Sequence, residues 1–240
     1  MSSPAPTPVD AAIQAYDRLY RERGMRSQRM YPNEALIQFL AARYFGLPLE
    51  QRAAIRILEV GCGSGANLWM MRKEGFETHG IDSSAEGLEL ARVHLRDKWQ
   101  VSADLKTGSF TALPYANEQF DAVVDVVSLE VLALNDSRVA LREIARCLKP
   151  GGAFFSYRLS DHSTMFEGPD ARIDSATLAN IADQSMPLSN NGPLSFWSPA
   201  LTRELYSAAQ LDVESIERVG RTYTSGVFVE YLKIVATRGA

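Results

Sequence analysis

The sequence predicts an α/β fold built on a mostly parallel, doubly wound sheet, and three observations support this. From residue 54 onwards, short apolar runs alternate with helical ones. The run FDAVVDVV is apolar nearly throughout, as in strands that helices cover on both faces. Near the C-terminus, LDVESIERV and FVEYLKIVAT alternate like two strands of a hairpin. We therefore expect helices on both faces of the sheet and an antiparallel strand at one edge.

The first 50 residues form a separate segment, which we expect to be an N-terminal helical arm or lid. Its pattern is helical on both sides of a break at Pro32, and Asn33 is a good N-cap for the second helix. The main domain is then expected over residues 51–240. It begins with the strand AIRILEV, a helix from Ala66 and the strand FETHGI. A helix from Ser84 follows, which Ser83 and Glu86 can open as a capping box.

The second half continues the same alternation of strands and helices. After FDAVVDVV comes an amphipathic helix that is expected to stop at KPGG, and then the strand AFFSYRL. The periodicity fades over residues 160–197, which we interpret as an insertion. A helix resumes where Ser198 and Pro199 supply an N-cap and a first-turn proline, and the hairpin follows.

Composition narrows the function classes. The chain of 240 residues is 46% hydrophobic and has a formal net charge of -4, so it has no basic field to attract a nucleic acid. No apolar run is long enough to cross a membrane, and the N-terminus lacks a secretion signal. Only Cys62 and Cys147 are present, without metal-ligand spacing. We expect a cytoplasmic protein, a monomer or homodimer, with no metal and with no nucleic-acid or membrane partner.

The stretch EVGCGSGANLW has the strongest local signal in the chain. It joins a strand to a helix and contains Gly61, Gly63 and Gly65. Such glycines let the backbone turn sharply and approach a ligand, at the edge of the sheet where parallel α/β folds bind ligands. The loop alone is ambiguous, because it fits both G-x-G-x-G and the G-x-G-x-x-A pattern of dinucleotide folds.

A carboxylate follows at the end of the next predicted strand. Asp82 stands about 20 residues after the first glycine, in GID, where it can accept hydrogen bonds from both hydroxyls of a ribose. Because the nucleosides of both cofactor classes contain ribose, this residue does not choose between them.

Four motifs in order break the ambiguity: ILEVGCGSG, GIDSS, GSFTALPYANEQFDAVVDV and LREIARCLKPGGAFF. With them the chain resembles the class I S-adenosylmethionine-dependent methyltransferases, in particular the small-molecule enzymes, over roughly residues 57–157. The competing short-chain dehydrogenase pattern, Y-x-x-x-K, does not occur. The resemblance implies a Rossmann-like seven-stranded sheet, S-adenosyl-L-methionine as the cofactor and methyltransferase activity.

The resemblance also implies a set of cofactor-binding residues. Glu59 is expected to hold the methionine ammonium, the glycines to lie beneath the methionine and ribose, and Asp82 to take the ribose hydroxyls. Asp125 interrupts an apolar run and is costly to bury unless it is paired or lines the cleft. The full set is Glu59, Gly61, Cys62, Gly63, Gly65, Asp82, Ser83, Ser109, Phe110 and Asp125.

Two positions depart from the family pattern. Ser109 stands where relatives usually have the aspartate that accepts from the adenine amino group. Glu130, in SLEVL, stands where many relatives have histidines. These departures support a second hypothesis, a catalytically inactive S-adenosylmethionine-binding partner subunit.

Candidates for proton transfer and for acceptor binding follow the fourth and fifth strands, lie in the arm or end the insertion. His162 and Glu130 are the candidate general bases. The candidate acceptor-binding residues are Tyr20, Arg29, Tyr31, Tyr157, Arg158 and Trp197. The expected activity is methyl transfer to an oxygen or nitrogen of a small polar metabolite, such as a sugar or a secondary metabolite.

Overall fold

A seven-stranded sheet forms the centre of the computed structural model, which describes residues 8–239. Its strand order is β3-β2-β1-β4-β5-β10-β9. The first five of these strands run parallel, and β10 is antiparallel to both β5 and β9. The predicted fold class is therefore confirmed. The strands of the large sheet are β1 (Arg56–Val60), β2 (Glu77–Asp82), β3 (Asp104–Thr107), β4 (Phe120–Val126), β5 (Leu148–Leu159), β9 (Leu211–Thr222) and β10 (Phe228–Arg238).

Helices cover both faces of the sheet, and two of the expected caps form. The Asn33 side chain accepts from the backbone N–H groups of Ala35 and Leu36. Ser198 accepts from the Leu201 N–H, with Pro199 in the first turn. The helices are α1 (Pro8–Arg23), α2 (Glu34–Tyr44), α3 (Leu49–Arg52), α4 (Leu68–Lys73), α5 (Ala85–Val93), α6 (Leu134–Cys147) and α7 (Pro199–Ala208).

Two expected boundaries were wrong. The N-cap of α5 is Ser84, whose hydroxyl accepts from the Gly87 N–H, because Ser83 instead donates to the Gly108 carbonyl. The KPGG segment lies inside β5 and does not separate it from α6. Since Leu148 already pairs with Phe120 of β4, the strand begins directly after the helix.

The segment after β5 contains a small sheet of its own. Three short strands, β6 (Arg172–Asp174), β7 (Thr177–Leu178) and β8 (Leu194–Ser195), pair in antiparallel fashion. Leu178, Leu194 and Phe196 are buried in a small core together with Leu159 and Val229. The weak periodicity of residues 160–197 therefore hides a packed layer that rests on β5 and β10.

The helix α1 packs against α5 and so lies over the carboxyl ends of the strands. Ser84 Oγ donates to the Asp17 carboxylate, and Arg21 lies 3.5 Å from Glu86. These contacts seat the N-terminal arm above the loop that follows β1. Within residues 8–239, no helix is both long and apolar enough to cross a membrane.

Candidate active site

A cavity of about 260 Å³ lies between α1 and the carboxyl ends of β1, β2 and β4. Its floor is the glycine loop and the ends of the strands, and its roof is the arm. Nine of the predicted site residues line it: Glu59, Gly61, Cys62, Gly63, Asp82, Ser83, Phe110, Tyr20 and Arg29. Residues far apart in the chain therefore meet around one cavity.

The glycine loop has a backbone shape that only glycine adopts easily. Gly61, Gly63 and Gly65 have φ values of +70°, +47° and +78°. A Cβ atom on Gly61 would lie 2.2 Å from Ser128 Cβ, and one on Gly63 would lie 2.8 Å from Tyr20 Oη. Gly65 faces away from the cavity, towards Ala91. The first two glycines thus let other parts of the site come close. The third is required by its backbone conformation, since a Cβ there would meet Ala91 at an ordinary contact distance of 3.4 Å.

Hydrogen bonds from neighbouring elements hold this loop. The N–H groups of Gly61 and Cys62 both donate to the Ile81 carbonyl, at 2.8 and 3.1 Å. His94 Nδ1 lies 3.1 Å from the Ser64 carbonyl, and the Trp99 indole N–H donates to His94 Nε2 at 3.0 Å. Because Nε2 accepts, Nδ1 carries the proton and donates to the loop. His94 therefore supports the loop from behind.

Asp82 joins the loop to the start of α5. One carboxylate oxygen accepts from the Gly63 N–H at 2.8 Å, and the other accepts from the Ser84 N–H at 2.8 Å. Burial raises the pKa of Asp82, against the lowering effect of these two hydrogen bonds. Each oxygen keeps a further lone pair that can accept from a ligand hydroxyl in the cavity.

Glu59 is a buried acid with one unsatisfied oxygen. Its side chain is 3% exposed, and its Oε1 accepts from Asn67 Nδ2 at 2.5 Å. The Oε2 atom has no hydrogen-bond partner among the described residues. Burial raises the pKa of Glu59 to about 8, and the Asn67 hydrogen bond opposes that rise. A cationic donor in the cavity would satisfy this oxygen and favour its charged form.

Asp125 does not line the cavity, because it is fully buried beneath it. Its Oδ1 accepts from the N–H groups of Ser128 and Leu129, at 3.0 and 3.1 Å, and its Oδ2 accepts from Ser156 Oγ at 2.7 Å. Burial raises its pKa. The carboxylate thus shapes the turn after β4, where Val127 has a φ of +54° that a β-branched residue rarely adopts.

Glu130 lies in the same turn, behind the cavity wall. It is 1% exposed, and its Oε2 has no hydrogen-bond partner among the described residues. Burial raises the pKa of Glu130 to about 8, Asp125 adds to the rise, and Arg158 opposes it. The charge of Glu130 also adds to the raised pKa of Tyr16 in the arm and of Tyr231 in β10. The carboxyl group therefore acts electrostatically on both tyrosines.

Arg158 and Trp197 are buried, and they line neither this cavity nor the second one described below. The guanidinium carbon of Arg158 lies 3.2 Å from the centroid of the Trp197 ring, and Nη2 donates to Ser195 Oγ at 2.8 Å. Burial lowers the pKa of Arg158 to about 10. The pair attaches the small sheet to β5, and it places a positive charge near Asp125 and Glu130.

Three other predicted site residues lie outside the cavity. His162 is exposed, and its Nδ1 lies 2.8 Å from Arg218 Nη1. Tyr31 is 62% exposed and packs its ring edge to face with Trp69 and Trp99. Ser109 is exposed, and its hydroxyl lies 2.8 Å from that of Thr111.

A second cavity, of about 370 Å³, adjoins the first. Arg29 and Val127 line both, and Tyr157 lines the second alone. The two spaces therefore share a wall made by the arm and by the turn after β4.

Sequence reasoning missed several residues that build the site. Gln28, Leu188 and Asn191 line the first cavity. Asn67 links Glu59 to the arm, because its Oδ1 accepts from the Asn33 N–H at 2.9 Å. Asn67 could have been found from the sequence, because its polar side chain comes directly after the glycine loop. The residues from the arm and the insertion gave none, because no motif surrounds them.

Comparisons with known proteins agree with this geometry. Residues 58–156 match the model of a methyltransferase domain family. A ubiquinone biosynthesis O-methyltransferase of Chelativorans sp. is 34% identical over 126 residues, which are 50% of this chain and 48% of that protein. Methyltransferase GfsG of Streptomyces halstedii is 36% identical over 108 residues, covering 43% of this chain and 37% of that protein. The matched segments thus span about half or less of these curated relatives.

A solved structure shares the fold over nearly the whole chain. It is the 1,6-didemethyltoxoflavin-N1-methyltransferase of Burkholderia thailandensis, solved with 1,6-didemethyltoxoflavin and S-adenosylhomocysteine. The TM-score is 0.60 at 17% identity, over 100% of this chain and 94% of that one. At this identity the likeness concerns the fold alone.

Proposed function

We propose that this chain, which carries a class I S-adenosylmethionine-dependent methyltransferase domain, transfers a methyl group to an oxygen or nitrogen of a small polar metabolite. S-adenosyl-L-methionine is the methyl donor of this family. The observation that most supports the proposal is that Glu59 and Asp82, two buried acids with spare acceptor capacity, line one cavity with the glycine loop between them.

The residues of the first cavity fit this cofactor. The unpartnered Glu59 Oε2 can accept from its ammonium, and the Asp82 oxygens can accept from its ribose hydroxyls. A Cβ on Gly63 would fill space beside the Tyr20 hydroxyl, so the cavity depends on that glycine. Phe110 supplies an apolar wall for the adenine ring of the cofactor. We include the rest of the predicted set, with Asp125, Ser109 and Gly65 acting through the loops that they shape.

When bound, S-adenosylmethionine supplies an electrophilic methyl group on a sulfonium. The protein must then orient an acceptor, exclude water and receive a proton where the acceptor is a hydroxyl. The arm helix α1 lies over one side of the cavity and so limits the access of water. We propose Glu130 as the first candidate for the proton-accepting role: burial raises its pKa to about 8, which suits a base near neutral pH, and its charge acts on Tyr16, which lines the cavity. Because Glu130 itself lies behind the cavity wall, it takes the proton through a group in the lining, such as the Tyr16 hydroxyl. His162 stays the second candidate base.

The proposal also covers the domain organisation, the cellular location and the assembly state. Residues 1–50 act as the arm over the cofactor, of which the first seven lie outside the described residues. Residues 51–240 form the catalytic domain, with the insertion at 160–197. We further propose that the protein is cytoplasmic, that it acts as a monomer or homodimer, and that it needs neither nucleic acid nor membrane.

Transfer of a labelled methyl group tests this function. The purified protein is incubated with methyl-labelled S-adenosylmethionine and, separately, with panels of phenols, amines and sugars. The proposal expects label in at least one acceptor class and none with Asp82→Ala at the same cofactor concentration. If the protein binds the cofactor but labels no acceptor, the alternative of a catalytically inactive partner subunit replaces the proposal.

A further inference from the structure

The second cavity lies beside the cofactor cavity, at the end of the sheet where β4 and β5 meet the hairpin of β9 and β10. Its volume is about 370 Å³, within the range of small-molecule sites. Arg29 and Val127 line both cavities. A molecule in the second cavity is therefore next to whatever the first cavity holds.

Aromatic rings form much of this second lining. The rings of Tyr157 and Tyr231 stack with their centroids 4.7 Å apart and an interplanar angle of 17°. A third aromatic ring in the lining belongs to Tyr223, in the turn of the hairpin. The two stacked rings come from β5 and β10, which the sheet holds rigidly. A planar ring can pack on such a surface by stacking or by an edge contact.

The charges in the lining have one sign. Arg29 and Arg221 are the charged residues, and no acid contributes to the wall among the described residues. Neither arginine forms an ion pair with a described residue, and the Arg221 guanidinium lies 4.8 Å from the centroid of Tyr223. All three of Arg29, Tyr157 and Tyr231 line this cavity, and the charge of Arg29 lowers the pKa of both phenols against the larger raising effect of burial.

We propose that the second cavity binds the methyl acceptor, and that this acceptor is an aromatic acid: a planar ring that carries a carboxylate. The inference rests on the proposed function and narrows its substrate class. The ring would pack on Tyr157 and Tyr231, and the carboxylate would pair with Arg221 or Arg29, since a guanidinium can bind a carboxylate through two parallel hydrogen bonds. A neutral sugar would use neither the stacked rings nor the unpaired cations.

Matched ligand pairs test this proposal by calorimetry on protein saturated with S-adenosylhomocysteine. The pairs are 3,4-dihydroxybenzoate with catechol, 4-hydroxybenzoate with phenol, and 2-aminobenzoate with aniline. At least one acid should bind roughly tenfold more tightly than its uncharged partner, as expected for a charge-assisted hydrogen bond. Cyclohexanecarboxylate, which has the charge without the aromatic ring, should bind more weakly than that acid.

Substitutions locate the binding. Arg221→Gln should remove most of the preference for the acid. It should leave the affinity for S-adenosylhomocysteine unchanged, because Arg221 lines the second cavity but not the first. Tyr223→Leu should weaken binding of both members of a pair. Arg142→Gln is the matched control, since Arg142 is exposed on α6 and lines neither cavity.

Two results would overturn the proposal. One is that every aromatic acid binds no better than its uncharged partner; the other is a preference that survives Arg221→Gln together with Arg29→Gln. The titration with S-adenosylhomocysteine separates this failure from that of the proposed function. If that nucleoside does not bind at all, the cofactor assignment fails; if it binds normally, only the acceptor class is wrong.

Discussion

The backbone N–H of Gly63 donates a hydrogen bond to the Asp82 carboxylate at 2.8 Å. This contact joins the loop after β1 to the end of β2, so the glycine and the acid form one unit of the cofactor cavity. Tyr20 from the arm completes the unit, because its hydroxyl oxygen lies 2.8 Å from the position that a Cβ of residue 63 would take. A change at any of the three residues should therefore affect the same ligand.

Gly63→Ala tests the close approach of Tyr20. Gly151→Ala is the matched control, because Gly151 also has a positive φ, +73°, but has open space around its Cβ position. Both variants should lose about 1–2 kcal/mol of stability from the left-handed backbone. Only Gly63→Ala should also lose affinity for S-adenosylhomocysteine, by more than tenfold in calorimetry. Equal affinities of the two variants would refute the role of this loop in the cavity.

The buried Glu59 predicts how stability depends on pH. Its pKa in the folded protein is about 8, against 4.5 for the ordinary carboxyl. A raised acid pKa means that the folded state binds more protons, so Glu59 lowers the free energy of unfolding as pH rises from 4.5 to 8. Glu59→Gln should flatten this slope in urea unfolding experiments on the ligand-free protein. If the substitution leaves the slope unchanged, Glu59 is not protonated in the folded, ligand-free protein.

The same residue should release a proton when the cofactor binds. The cofactor ammonium favours the charged carboxylate, so at pH 7 binding of S-adenosylhomocysteine should release close to one proton. Calorimetry in buffers of different ionisation enthalpy measures this number. Glu59→Gln should abolish the release and weaken binding. The control is Glu77→Gln, since Glu77 is a surface acid on β2 paired with Arg56.

Glu130 and His162 can be separated by activity. If Glu130 accepts the proton, the rate should rise with pH through about 8, because only the ionised form acts as a base. Glu130→Gln should remove this dependence and lower kcat by 10²–10⁴-fold, on the order expected for a general base. His162→Gln should leave kcat unchanged. The opposite pattern would transfer the role to His162.

Arg158 should be a structural residue whose loss destabilises the whole fold. Removing it leaves Asp125 without the nearby positive charge and exposes one face of the Trp197 ring. Arg158→Met should lower the free energy of unfolding by about 1–3 kcal/mol, because it also leaves the buried Ser195 hydroxyl without its hydrogen-bond donor. KM for the acceptor should stay unchanged under conditions where the variant is folded. A large change in KM with normal stability would instead show that Arg158 binds the acceptor, as the sequence predicted.

The sequence was most informative where the signal is local. The alternation of apolar runs predicted β1, β2, β4 and β5 in chain order, because burial on both faces leaves strands such as β4 almost entirely apolar. It did not predict β3, which is partly exposed and has no apolar run. Gly63 and Asp82 were found because a tight turn and a strand end leave recognisable residues. The caps at Asn33 and Ser198 were correct for the same reason.

The sequence was least informative where side-chain direction matters. Being near the end of β5 suggested that Tyr157, Arg158 and His162 face the cleft, yet successive strand residues point to opposite faces, so Tyr157 lines a cavity and Arg158 is buried. The second cavity combines residues from the arm, the turn after β4, strand β5 and the hairpin. No window of sequence contains that combination, so only the folded chain reveals it.

Calorimetric titration with S-adenosylmethionine, S-adenosylhomocysteine and NADH, on the natural protein and on Asp82→Ala, tests the central claim most directly. Both sulfur nucleosides should bind with micromolar affinity and NADH should not. Asp82→Ala should weaken binding by roughly 1.5–3 kcal/mol, because it removes charged hydrogen bonds to the ribose. The matched control is Asp104→Ala, since Asp104 is exposed on β3 beside His79. Binding of NADH alone, or an unchanged affinity in folded Asp82→Ala, would contradict the assignment of this cavity to S-adenosylmethionine.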